Sequence, residues 1–88
     1  LADAGFKVTP GAAGIPTAFV AEYGSGKPVI GIMAEFDALP GVSQEAVPFR
    51  KPVVEGGAGH ACGHHLFGAA SVAAGISIMD WMKTNKIK

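Results

Sequence analysis

The sequence is poor in cysteine and in charged residues. It has 1 cysteine among 88 residues, which rules out an internal disulfide and with it a small secreted domain held together by disulfides. The 7 basic and 7 acidic side chains balance, so we expect neither a nucleic-acid partner nor binding to an anionic membrane. Only 16% of the residues are charged, against about 25% in an average globular domain. The chain therefore has little polar surface with which to cover a core of its own.

No segment has the features of a membrane span or of a signal peptide. The longest uncharged stretch late in the chain, residues 66–79, is shorter than the about 18–20 residues that cross a bilayer. Residues 1–5 lack a basic region and a long apolar core, so we predict a cytoplasmic protein. Because 49% of the residues are hydrophobic, we also expect the chain to be a piece of a larger protein that covers its apolar faces.

The order of the local patterns predicts a mixed α/β fold. We predict a helix end at residues 1–4, a short strand at 6–8, a loop at 10–16 and a strand at 17–23. A tight turn at residues 24–27 and a buried strand at 28–34 follow. Residues 28–34 are almost wholly apolar, which is typical of a strand covered on both faces. We therefore predict that this strand forms a hairpin with residues 17–23 and enters the centre of a sheet.

The second half of the chain divides into an irregular segment and a helix. Residues 38–59 are rich in proline and glycine, and loops longer than about 12–15 residues in compact domains are usually functional or disordered. Residues 63–86 are rich in alanine, have a helical period and end in lysines that suit a helix C-terminus. Because this helix is apolar almost all round before Asp80, we predict that it is buried on more than one side.

All 3 histidines and the cysteine lie between residues 60 and 65. Thiolate and imidazole are preferred ligands of Zn, Co and Ni. Cys62 and His64 can converge on one ion from a turn, because a glycine between them lets the backbone bend. The alternative is a buried free cysteine beside loop histidines that only cap the helix. The clustering favours a metal site, with His60 and His65 as further candidate ligands.

A pair of carboxylates follows the apolar segment. In extended chain Glu35 and Asp37 face the same side, so both can point at one site. A metal-bound histidine commonly donates its second N–H to a carboxylate, so Asp37 is the predicted partner of His64. Alternatively, the two acids only solvate a strand end. Since a catalytic zinc site needs three protein ligands, we expect the missing ligands and the general base to lie outside this chain.

A glycine-rich run before the helix offers a different interpretation. Gly57, Gly59 and Gly63 are spaced in a way related to the dinucleotide-binding fingerprint. That fingerprint needs a buried strand directly before it and an acidic residue about 20 positions later, at the end of a second strand. Few strand-forming residues precede the run, and Asp80 falls inside the predicted helix. The fingerprint is therefore incomplete.

Two motifs together resemble those of a known enzyme family. The motif Ala-Glu-Phe-Asp-Ala-Leu-Pro-Gly at residues 34–41 is followed by Gly-His-Ala-Cys-Gly-His at residues 59–64. This combination resembles the amidohydrolase branch of the aminoacylase and carboxypeptidase-G-like zinc metallopeptidases. The first motif is most similar to the form found in the subgroup that hydrolyses p-aminobenzoyl-glutamate.

The resemblance implies the fold and the chemistry of the parent protein. Residues 1–88 would be a partial N-terminal catalytic domain, a fragment of an α/β/α sandwich of the zinc-aminopeptidase type. The dimerisation domain of the homodimer would lie elsewhere. The family implies two divalent metal ions, Mn or Zn with Co or Ni also possible, and hydrolysis of the amide bond of a small N-acyl or N-aroyl amino acid by metal-activated water. The fragment alone is expected to be inactive and to hold metal weakly.

The resemblance also implies roles for single residues. Cys62 and His64 would be metal ligands, with Cys62 as a candidate bridge, and Asp37 would be the acid that orients a ligand. Glu35 stands where other branches of the superfamily have a metal-binding histidine. His65 replaces the usual Asp or Asn of the family.

His60 belongs to the second motif without usually being a ligand. A non-enzymatic alternative is a small metal-binding or metal-sensing module, in which Cys62, His64 and His65 bind metal together with a ligand from a second copy. A carboxylate pair at the end of an apolar segment favours the enzyme, because a sensor has no need for it.

Overall fold

The computed structural model describes the whole chain, residues 1–88. It divides into two compact units, residues 1–31 with 72–88 and residues 32–71. The predicted mixed α/β class is confirmed, since the structure contains a two-stranded antiparallel sheet and one long helix. Its elements are a 3₁₀ turn at Ala2–Ala4, strand β1 at Lys7–Pro10, a 3₁₀ turn at Ala12–Gly14, strand β2 at Phe19–Glu22 and helix α1 at His64–Thr84.

The sheet of the first unit consists of β1 and β2. Lys7 lies opposite Glu22, and Pro10, which has no N–H to donate, lies at the end of the ladder. Gly5 ends the first turn in the left-handed conformation, with φ 111°, which glycine adopts without a steric penalty. The predicted helix end and both predicted strands of this region are confirmed, with boundaries shifted by a few residues.

The predicted hairpin between residues 17–23 and 28–34 is wrong. Strand β2 pairs with β1, and residues 28–34 form no strand. The observed register suits these side chains: it places the oppositely charged Lys7 and Glu22 opposite each other, and the rings of Phe6 and Tyr23 have centroids 5.5 Å apart.

The predicted burial of residues 28–34 is also wrong. Val29 is 85% exposed and Met33 is 84% exposed. The burial of an apolar segment is energetically favourable, but it takes place only where neighbouring elements cover the segment. In this chain the two strands are paired with each other and do not supply that cover.

Helix α1 confirms the predicted helix to within two residues at each end. It begins after Gly63, whose φ is 90° and whose carbonyl accepts the N–H of Leu66 at 2.9 Å. The prediction that this helix is buried on more than one side is wrong, since only Met79 is buried, with 4% exposure, while Trp81 is 58% exposed. The reason is again a lack of covering elements. No helix in the structure combines the length and the apolar character that crossing a membrane requires.

The irregular segment in the second unit is held together by backbone hydrogen bonds although it contains no helix or strand. Leu39 and Gly59 exchange two N–H···O=C bonds of 2.9 Å each, which join the two ends of the segment. The Ser43 N–H donates to the Gly57 carbonyl at 2.9 Å. A Cβ on Gly59 would lie 2.9 Å from the carbonyl carbon of Val42, so glycine is required for this close approach.

The side chain of Gln44 holds the far end of the same segment. Its Nε2 donates to the carbonyls of Phe49 at 2.7 Å and Glu45 at 3.1 Å, and its Oε1 accepts the N–H of Lys51 at 2.9 Å. An ion pair between Lys51 Nζ and Glu45 Oε2, 2.8 Å long, closes the same turn. The long loop predicted from proline and glycine is therefore present, and side-chain hydrogen bonds determine its shape.

Candidate metal centre

Glu35, Asp37 and His64 converge in the second unit. One ligand atom from each lies within 4.8 Å of the other two. The Nδ1 atom of His64 is 2.8 Å from Asp37 Oδ1, and its Nε2 atom is 3.2 Å from Glu35 Oε1. The His64 side chain is 20% exposed, against 54% for Glu35 and 62% for Asp37. The imidazole is thus held between two carboxylates that reach solvent.

The local backbone explains how the two motifs meet. Asp37 lies two positions before Leu39, and His64 is the first residue of α1. The paired hydrogen bonds between Leu39 and Gly59 bring the chain back to the first motif at the end of the irregular segment. Gly63, with φ 90°, then turns the backbone into the helix. The chain therefore places a histidine beside a carboxylate that is 27 positions away in the sequence.

The hydrogen-bonding capacity of His64 indicates what the site can hold. Ionised carboxylates only accept hydrogen bonds, whereas a neutral imidazole has one donor and one acceptor nitrogen. When Nδ1–H donates to Asp37, the lone pair on Nε2 faces Glu35, and a cation between these two groups would remove the repulsion. In this tautomer Nε2 is free to bind a metal ion.

The donor set fits a divalent metal. Two carboxylates and an imidazole are ligands that both Mn and Zn accept. The predicted contact between Asp37 and His64 is present in the structure, with Nδ1 and Oδ1 2.8 Å apart. Glu35 faces the other ring nitrogen of the same histidine. Glu35, Asp37 and His64 therefore form one arrangement suited to metal binding.

The other candidate ligands lie outside this arrangement. Cys62 is a free, exposed cysteine and is not one of the three converging groups. His60 and His65 contact each other instead, with ring centroids 4.3 Å apart and an interplanar angle of 47°. The sequence does not indicate this contact, because it depends on the turn at Gly63 and follows no spacing rule. The proposed metal roles of Cys62, His60 and His65 stay predictions.

The structure offers no support for the dinucleotide-binding alternative. That fingerprint requires a strand that leads directly into the glycine-rich run and then a helix. Residues 52–58 form no strand. The glycine at position 59 instead pairs with Leu39, so the run closes the irregular segment.

The chain is similar to part of a curated hydrolase. It is 46% identical over 84 residues, or 94% of its length, to one of the subunits of p-aminobenzoyl-glutamate hydrolase from Escherichia coli (strain K12). It spans 18% of the length of that relative. No protein-family model matches the chain, and no solved structure matches it. This similarity, which extends over almost the whole chain, confirms the resemblance to amidohydrolases that the two motifs indicated.

Proposed function

We propose that this chain is part of a metal-dependent amidohydrolase that cleaves the amide bond of N-acyl or N-aroyl amino acids, with p-aminobenzoyl-glutamate as the candidate substrate. The convergence of Glu35, Asp37 and His64 on one point carries the proposal. The 46% identity to a p-aminobenzoyl-glutamate hydrolase supports the substrate class. The α/β/α sandwich, the homodimer and the cytoplasmic location predicted from the sequence belong to the same proposal.

The proposed cofactor is a pair of divalent metal ions, Mn or Zn with Co or Ni also possible. His64 would bind a metal ion through Nε2, and Glu35 is the candidate ligand on the side that Nε2 faces. Cys62 remains the candidate second ligand from the motif. When bound, a divalent ion polarises a carbonyl oxygen and lowers the pKa of a bound water towards neutrality.

The residues of this chain have distinct tasks in the proposal. Asp37 accepts the Nδ1–H of His64, and this bond holds both the tautomer and the orientation of the ring. Glu35 adds negative charge beside Nε2 and so favours a cation there. The further ligands and the general base come from residues outside the chain. We therefore expect residues 1–88 alone to hydrolyse nothing and to bind metal weakly.

A hydrolysis panel on the intact protein tests the proposal. The protein is stripped with a chelator, reloaded separately with Mn, Zn, Co or Ni, and assayed with p-aminobenzoyl-glutamate, N-benzoylglycine and N-acetyl amino acids. We expect the chelator to abolish hydrolysis and at least one metal to restore it. His64→Ala should lose activity and most of the bound metal, whereas Thr84→Ala, at the other end of α1, should retain both.

Two outcomes would contradict the proposal. Full hydrolysis by the chelated protein would exclude metal dependence, and failure to cleave any amide in the panel would exclude the substrate class. Stoichiometric metal binding without any hydrolysis would favour the non-enzymatic metal-binding module.

A further inference from the structure

One face of α1 lies along the segment that carries the two carboxylates. At the start of the helix, His64 contacts Asp37 and Glu35. One turn later, a Cβ on Gly68 would lie 3.3 Å from both the carbonyl oxygen of Glu35 and the Cβ of Phe36. All of these residues belong to the unit formed by residues 32–71.

A third contact follows near the end of this unit. The Ser71 hydroxyl donates a hydrogen bond of 2.8 Å to the Met33 carbonyl. Residues 64, 68 and 71 are spaced by four and three positions, so they share one helix face. Their partners run backwards along the chain, from Asp37 through residues 35–36 to Met33. Helix and segment are therefore antiparallel here.

The lengths of the two elements are compatible with this register. From His64 to Ser71 the helix rises about 10 Å, at 1.5 Å per residue. Residues 33–37 span at most about 13 Å when fully extended. The contacts at both ends, between His64 and Asp37 and between Ser71 and Met33, oppose sliding of the helix along the segment. A change in the position of the helix at Ser71 would therefore also move His64.

Ser71 uses its hydroxyl differently from the other hydroxyl residues of the helix that make hydrogen bonds. Ser77 Oγ donates to the Ala73 carbonyl and Thr84 Oγ1 to the Asp80 carbonyl, each at 2.9 Å and each within α1 itself. Bonding to the carbonyl four residues back is the ordinary behaviour of serine and threonine in helices. Ser71 instead bonds to a carbonyl 38 positions away in the sequence.

We propose that Ser71 is a positioning residue of the metal centre, whose hydrogen bond to the Met33 carbonyl sets where α1 lies along residues 33–37 and so places His64 between Glu35 and Asp37. Gly68 assists by letting the two backbones approach. A side chain there would push against the Glu35 carbonyl, while the bond of Ser71 holds the helix close. The assignment of metal to these residues rests on the proposed function, but the placement of His64 does not.

The experiment compares variants of the intact protein by two readouts. The first is the ¹H–¹⁵N correlation spectrum of the metal-free protein labelled at histidine nitrogens, with the His64 ring signals assigned by their loss in His64→Gln. The second is the dissociation constant for Mn and Zn, measured by competition with a chromophoric chelator. The variants are Ser71→Ala, Ser71→Thr, which keeps a hydroxyl, and the matched control Ser77→Ala.

We expect Ser71→Ala to shift the His64 ring signals and to weaken metal binding about tenfold, the lower end of the effect of removing a group that orients a metal ligand. Ser71→Thr should remain close to the wild type in both readouts, and Ser77→Ala should change neither. Unchanged ring signals in Ser71→Ala, an equal change in Ser77→Ala, or no rescue by threonine would each overturn the proposal. If the wild type binds no metal, the proposed function fails while the ring signals still decide the positioning role.

A second pair of variants covers the case in which Ser71→Ala does not fold. Gly68→Ala forces the helix and the Glu35 backbone apart by a few tenths of an ångström. Gly31→Ala is its control, because a Cβ there has nothing within 4 Å. The His64 ring signals should shift in Gly68→Ala and stay in place in Gly31→Ala. Identical spectra for the two variants would overturn the proposal.

Discussion

The contact between Asp37 and His64 yields the sharpest quantitative prediction. The Nδ1 to Oδ1 distance of 2.8 Å is that of a strong hydrogen bond between an imidazole N–H and a carboxylate. Asp37→Asn keeps the size of the side chain and an oxygen acceptor but removes the negative charge. Asp37→Ala removes the acceptor altogether. The two variants together separate the effect of charge from that of orientation.

The expected magnitudes follow from the geometry and the exposure. A hydrogen bond to a charged group contributes about 1.5–3 kcal/mol and a neutral one about 0.5–1.5 kcal/mol. Because the Asp37 side chain is 62% exposed, solvent screens its charge. We therefore take the charged hydrogen bond to be about 1 kcal/mol stronger than the neutral one. Asp37→Asn should therefore weaken metal binding about fivefold, and Asp37→Ala about ten- to hundredfold, as for other groups that orient metal ligands.

The assay is a competition titration of the intact protein with a metal-binding dye, carried out with Mn and with Zn. Asp80→Asn is the matched control, because Asp80 is an exposed carboxylate near the other end of α1. Wild-type affinity in both Asp37 variants would refute the reasoning. So would a loss in Asp80→Asn equal to that in Asp37→Asn, since it would reflect net charge and not the contact with His64.

Three further predictions concern Gly59, Gln44 and Cys62. Gly59→Ala should break the two hydrogen bonds with Leu39, lower the free energy of unfolding by about 2 kcal/mol and reduce the metal content. Urea titration and metal analysis measure these two effects, and Gly31→Ala should show neither. Equal stability of the two variants would contradict the prediction. Gln44→Ala should speed tryptic cleavage after Arg50, and an unchanged cleavage rate would show that the side chain does not hold the loop. Cys62→Ala should abolish activity and most metal binding in the intact protein, and retained turnover would remove this residue from the site.

The sequence predicted those parts of the structure that depend on short-range interactions. Helix α1, the turn ended by Gly5 and the irregular character of residues 38–59 all follow from local period and from the backbone preferences of glycine and proline. The pairing of Asp37 with His64, 27 positions apart, is the exception. It was predicted because a metal-bound histidine commonly donates its second N–H to a carboxylate. The predictions of the helix, the turn and the irregular segment needed no knowledge of the distant neighbours of a residue.

Strand pairing and burial were not predictable in the same way. Residues 28–34 have the composition of a buried strand, yet they are exposed and unpaired, and β2 pairs with β1. Composition describes how a segment would behave if it were covered, whereas only the arrangement of the other elements decides whether it is. The same reasoning explains why α1, although apolar almost all round, buries only Met79.

By itself, the sequence determined which chemical groups are available to the candidate metal centre: three imidazoles, one thiol and a pair of carboxylates at the end of an apolar segment. Only the tertiary structure decided which of them meet. It placed His64 between Glu35 and Asp37, left Cys62 outside that group and brought His60 against His65. The physical reason is that side-chain chemistry is a property of each residue, whereas convergence depends on the Leu39–Gly59 bridge, the turn at Gly63 and the register set by Ser71.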